Sequence, residues 1–91
     1  MRLIWTGPAQ SDLQRLYAFL APKNEEAAAS AVLNLAIASE RLLDHPRLGA
    51  RLSTYETREV RHVIVGDYDL RYEVEDDDIL ILRVWHGREN R

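Results

Sequence analysis

Residues 58–86 leave this chain few folds to choose from. Arg58-Glu-Val-Arg-His-Val-Ile-Val65, Tyr68-Asp-Leu-Arg-Tyr-Glu-Val74 and Ile79-Leu-Ile-Leu-Arg-Val-Trp85 are rich in β-branched and aromatic residues. Only Gly66-Asp67 and the acidic run Glu75-Asp76-Asp77-Asp78 separate them. Runs joined by turns this short become neighbouring antiparallel strands, since a parallel connection needs a crossover of about a dozen residues or more. A three-stranded β-meander is therefore expected, followed by the tail His86-Gly-Arg-Glu-Asn-Arg91.

The first half reads differently. Arg2-Leu-Ile-Trp-Thr6 has the character of a short strand, and Gly7-Pro8 interrupts it. Proline suits a helix start, where its missing N–H would be unpaired anyway. Ala9, Leu13, Leu16, Tyr17 and Leu20 then recur at helical spacing, with Asp12 and Gln14 expected on the opposite side. Ala21-Pro22 ends this helix, because the residue before proline is pushed out of the α region. Asn24 is a good N-cap, and Glu25 and Glu26 fall where the helix dipole favours negative charge. Alanines at 27, 28, 29, 31, 36 and 38 make a second helix firm, with Ala28, Val32, Leu35, Ser39 and Leu42 as its apolar stripe. His45-Pro46 stops it, and residues 46–57 read as a loop. The expectation is one domain, residues 1–91, of α+β class. An N-terminal strand precedes an antiparallel helical hairpin, packed on a mainly antiparallel sheet that ends in the meander (β-α-α-β-β-β).

Register decides which side chains share a face, because a slip of one residue exchanges the two faces. A two-residue turn at Gly66-Asp67 pairs Val65 with Tyr68, Val63 with Leu70 and Arg61 with Tyr72. At the second turn, a two-residue loop at Asp76-Asp77 would set Arg83 among Leu70, Tyr72 and Val74. A three-residue loop, Asp76-Asp77-Asp78, sets Leu80, Leu82 and Val84 there instead, which avoids burying an unpaired charge. The longer loop is the expected one. It places His62, Arg71 and Arg83 in one row across the other face, flanked by Ile64, Ile81 and Trp85.

Composition narrows the chemistry. The chain carries no cysteine, which excludes disulfides, thiolate metal sites and thiol nucleophiles. A formal charge of −3 opposes binding to nucleic acid, whose phosphates demand a cationic surface. The short apolar start is neither a leader nor a membrane span, so a cytoplasmic protein is expected. No metal-ligand spacing, phosphate-cradling loop or cofactor motif is visible, and neither metal nor cofactor is expected. The acidic turn lacks the spaced ligands and glycine of a calcium loop.

The row His62–Arg71–Arg83 could grip a carboxylate or phosphate, or it could be a solvated face paired with Asp69 and Glu73. His86 could act as a general acid or base, but no base or nucleophile stands beside it in sequence, so a surface or interface role is the alternative. His45 reads as a helix C-terminal residue complementing the dipole.

Several pieces then fall in a familiar order. They are Trp5-Thr6, Ala9 with Asp12-Leu13, Leu42-Leu43 with Pro46 and Gly49, Arg58-Glu-Val-Arg61, Gly66-Asp-Tyr68 with Arg71-Tyr72, and Ile81-Leu-Arg-Val-Trp-His-Gly-Arg-Glu89. Over nearly its whole length the chain resembles the ParE/RelE superfamily of bacterial toxins, and the ParE side more closely. The resemblance implies the toxin of a type II toxin–antitoxin module, neutralised by a cognate antitoxin and associated with plasmid stabilisation. It implies DNA gyrase as the target, inhibited by protein contact rather than by catalysis. Partner-binding residues would be His62, Arg71, Arg83, Trp85, His86, Arg88 and Arg91. The alternative is a RelE-like, ribosome-dependent mRNA interferase using Arg61, Arg83, His86 or Arg88. Those nucleases are strongly basic, whereas this chain is acidic, and Val65 stands where a basic residue would be sought before the Gly-Asp-Tyr turn. A third reading is a family member that only binds its antitoxin.

Overall fold

A computed structural model describes residues 1–55 and 57–87. Strand β1 (Arg2–Trp5) leads into helices α1 (Gly7–Leu20) and α2 (Glu25–Asp44). A two-residue strand β2 (Ala50–Arg51) and the meander β3 (Glu59–Val65), β4 (Tyr68–Glu75) and β5 (Asp78–His86) follow. The five strands form one sheet in the order β1-β5-β4-β3-β2. Only β1 runs parallel to its neighbour, β5. The α+β class and the order of elements agree with the sequence reading. Strand β2 lies within the segment expected to be loop.

The helices begin where the caps place them. Thr6 accepts a hydrogen bond from the Ala9 N–H, and its hydroxyl donates to the Ile81 carbonyl at 2.7 Å. One residue thus caps α1 and ties it to β5. Asn24 Oδ1 accepts from the Ala27 N–H at 3.0 Å, and Glu25, Glu26 and Arg41 complement the dipole of α2. Ala9 and Leu16 of α1 and Leu35 and Leu42 of α2 meet Leu70, Tyr72, Ile79, Ile81 and Val84 of the sheet in the core. Leu13 packs against this core but, like Leu20 and Val32, is only partly buried.

The first hairpin has the expected register: Val65 faces Tyr68, Val63 faces Leu70 and Arg61 faces Tyr72. Gly66 has φ +60°, a left-handed conformation that glycine adopts without steric cost. The second hairpin corrects the sequence reading. Its loop is the two-residue one, Asp76-Asp77, so Tyr72 faces Ile81 and Val74 faces Ile79. Continued unbroken, that register would press Arg83 against Leu70. A β-bulge between Arg71 and Tyr72 prevents this: β5 carries one extra residue, Leu82, and beyond it Arg71 faces Arg83 and Leu70 faces Val84. Ile79 and Ile81, not Leu80 and Leu82, therefore enter the core, while Val84 is buried as expected. Ile81 consequently does not flank the row on the other face.

The loop after α2 is pinned to the sheet. The buried Tyr72 hydroxyl donates to the Pro46 carbonyl at 2.8 Å and accepts from the Gly49 N–H at 2.9 Å. A Cβ at Gly49 would lie 2.5 Å from the His62 carbonyl oxygen, so only glycine fits without a backbone shift. Among the described residues no helix is long and apolar enough to cross a membrane.

Candidate functional site

The helices cover one face of the sheet. On the other face β3, β4 and β5 align His62, Arg71 and Arg83 in a single row, as the register predicted. Tyr55 and Arg58 reach onto this face, Tyr55 to Arg71 and Arg58 to Glu73, while Leu52 continues the β2–β3 pairing by donating its N–H to the Val60 carbonyl. Trp85, paired with Asp69, borders the row, and Ile64 lies across from Asp69 on the other side.

Each cation of the row meets a different environment. His62 Nδ1 is 3.0 Å from Asp69 Oδ1, and Asp69 is buried. Arg83 makes a two-pronged contact with Asp12, from Nε at 2.8 Å and Nη2 at 3.1 Å. Arg71 donates through Nη1 to the Tyr55 hydroxyl at 3.1 Å and lies 4.6 Å from the centre of the Trp85 ring. Arg83 approaches the same ring at 5.0 Å. Glu73, a carboxylate expected beside the row, is held instead by Arg58, at 2.7 and 3.1 Å.

Asp12 explains why Arg83 turns toward α1. Although expected on the solvent side of the helix, Asp12 is only 3% exposed. Strand β1 ends at Trp5, paired with Ile81, so beyond that point β5 has an open edge. Helix α1 runs along it, and Asp12 Oδ2 accepts the Val84 N–H at 2.8 Å. Arg15 Nη2 reaches Asp12 at 3.3 Å and the Val84 carbonyl at 3.2 Å. Burial alone would push the Asp12 carboxyl up. Hydrogen bonds from Arg83, the Val84 N–H and Arg15 outweigh it, and the carboxyl is held below the usual carboxylate range.

The remaining sequence candidates lie apart from the row. Arg61 sits on the helix side, at the sheet margin, bound to Glu59 at 2.8 Å and to the Gly49 carbonyl at 2.8 Å. That contact with Arg61, joined by Arg47, lowers the Glu59 carboxyl despite its partial loss of solvent. His86 pairs with Tyr68 on the helix side and stacks edge-on against its ring at 5.5 Å. Arg88 and Arg91 lie outside the described residues. Sequence reasoning missed Asp12, Tyr55 and Arg58 as members of this cluster. Asp12 alone left a signal, since it stands three residues after Ala9 and four before Leu16, on the buried stripe.

No group of His, Cys, Asp or Glu suited to a metal ion occurs among the described residues. What the face offers is aromatic surface, guanidinium groups and one imidazole. These features suit recognition of a protein surface, where tyrosine, tryptophan and arginine are enriched.

A family model described as the ParE toxin of the type II toxin–antitoxin system parDE matches residues 3–91. The chain belongs to the ParE toxin family. Its fold is similar to that of a solved structure described as "Chromosomal ParDE TA system from P. aeruginosa", with a TM-score of 0.78 and 26% sequence identity. The match covers 94% of this chain and 95% of that one. A comparison with curated proteins finds no match. Membership of the ParE family makes the chain a toxin domain of a type II toxin–antitoxin system.

Proposed function

We propose that this toxin inhibits DNA gyrase in the cytoplasm by protein–protein contact, without catalysis, and that a cognate antitoxin neutralises it. The observation that carries this reading is the pairing within the cation-bearing face. His62, Arg58 and Arg83 are matched by Asp69, Glu73 and Asp12, so the face lacks the unbroken positive field that gathers a phosphate backbone. Of the residues considered for RNA cleavage, the described ones also fail to converge. Arg61 and His86 lie on the helix side, while Arg83 rises from the opposite face. Metal-free phosphodiester cleavage needs a base, an acid and a cation at one phosphate.

The antitoxin has a suitable seat elsewhere. Strand β2 pairs only with Arg61 and His62, so the outer edge of Val63–Val65 carries no strand partner among the described residues. Ile64 there is 67% exposed. Beside this edge runs a groove of about 560 Å³, lined by Leu20, Ala27, Ala31, Val65 and Tyr68 among others. An extended antitoxin segment adds a strand along the edge and sets apolar side chains into the groove.

Expression of the toxin in cells, with and without the product of the neighbouring gene, tests both parts. The expected result is relaxed plasmid with intact transcripts, reversed by the neighbouring protein, which co-purifies with the toxin. Codon-specific transcript cleavage with normal supercoiling, abolished by Arg83→Ala or His86→Ala, would favour the interferase.

A further inference from the structure

Arg71 differs from the other cations of the open face in that no carboxylate answers it among the described residues. Arg58 and Arg83 each hold both oxygens of an acid, and His62 has Asp69. Arg71 has the Tyr55 hydroxyl, the Trp85 ring at 4.6 Å and the Tyr55 ring at 5.9 Å. Its Nε is buried and without an acceptor. Aromatic contacts fix a guanidinium without neutralising it. The group springs from β4, the middle strand of the sheet, so its base is rigid. A planar fork held in this way has already lost its freedom, and an oxyanion meeting it forfeits little further entropy.

We propose that Arg71, set between Tyr55 and Trp85, is the docking point for an aspartate or glutamate side chain of the protein this toxin inhibits. The proposal rests on the reading of the toxin as a protein-contact inhibitor. A phosphate would fit the same fork. However, Asp69 and Glu73 stand two residues to either side of Arg71 on the same face, and both are buried within it. A single carboxylate reaches Arg71 between them, whereas a run of phosphates would meet both acids.

The chain has two tryptophans, so Trp5→Phe leaves Trp85 as its only indole reporter. In that background an acetylated Gly-Gly-Glu-Gly-Gly amide, which carries one carboxylate, and a single-stranded RNA hexamer are titrated at low salt, with Arg71→Met and Arg71→Lys beside the parent. The expected result is a saturable change in Trp85 fluorescence with the single-glutamate peptide. Arg71→Met should weaken binding about tenfold or more, with thermal melting unchanged, as loss of a charged hydrogen-bond pair implies. Arg71→Lys, which keeps the charge and loses the fork, should fall between. Absence of peptide binding, equal binding by Arg71→Met, or tighter Arg71-dependent binding of the RNA would each overturn the proposal. A gyrase supercoiling assay with the same proteins separates the two levels. Inhibition by the parent but not by Arg71→Met supports both. Equal inhibition by both overturns the docking point and leaves the gyrase reading intact. No inhibition by either, with Arg71-dependent peptide binding retained, removes gyrase and leaves the docking point.

Discussion

Replacing Asp12 by alanine leaves Arg83, Arg15 and the Val84 N–H without their shared acceptor. Both arginines are 43% exposed and can turn to water, so their loss counts for little. The unpaired strand N–H and the lost charged bond should cost about 2–3 kcal/mol, read from urea unfolding at neutral pH. The same residue sets an acid dependence. Its carboxyl binds a proton less readily folded than unfolded, so its contribution is complete above the unfolded value, about 3.9. That contribution disappears as pH falls through the lower folded value, so the stability gap between the parent and Asp12→Asn should narrow below about pH 4. A gap that stays constant to pH 2 would contradict the role assigned to Asp12. Tyr72→Phe removes the hydroxyl that serves both Pro46 and Gly49, and should lower stability by about 1–3 kcal/mol in the same assay. The sequence reading set Asp12 on the solvent side of the helix, although it stands three residues after Ala9 and four before Leu16. The open edge of β5 that makes burial favourable is a tertiary fact that no local pattern carries.

The two helices and their caps were legible because their signals are local: proline at the start of α1, asparagine before α2, alanines through it. Asn24→Ala should therefore cost about 1 kcal/mol, by loss of the bond to the Ala27 N–H. The third strand was legible only in part. A parity argument admits one register per hairpin, and β5 uses two, joined at the bulge. The charge argument that favoured Val84 over Arg83 on the inner face holds beyond the bulge. Nearer the turn the shorter loop decides, and Ile79 and Ile81 go inside. Deleting Leu82 removes the extra residue and leaves an unbroken ladder in which Arg83 still faces Arg71 and Val84 still faces Leu70. The expected outcome is that a cooperative thermal transition, followed by circular dichroism, is retained. Loss of the cooperative transition would contradict the assignment of Leu82 as the extra residue. Strand β2 was not legible, since two residues show no alternation.

At the scale of the whole molecule, the sheet leaves one margin open beyond β2 and one face bare of helices among the described residues, and these offer separate surfaces for two partners. Ala27→Asp sets a charge in the groove beside the open margin and should weaken antitoxin binding at least tenfold by calorimetry, while leaving toxicity in place. The row His62–Arg71–Arg83 was readable from register, but the acids that partner its members were less so. Asp69 lies next to the row in sequence, whereas Asp12 comes from 71 residues away. The central claim, a toxin that stops gyrase by contact, is tested most directly in one reaction mixture. Purified toxin is titrated into gyrase with relaxed plasmid, alongside programmed ribosomes carrying a labelled mRNA. The account predicts that supercoiling ceases at stoichiometric toxin, that the mRNA stays whole, and that His86→Ala behaves as the parent. Cleaved mRNA with supercoiling undiminished would contradict it.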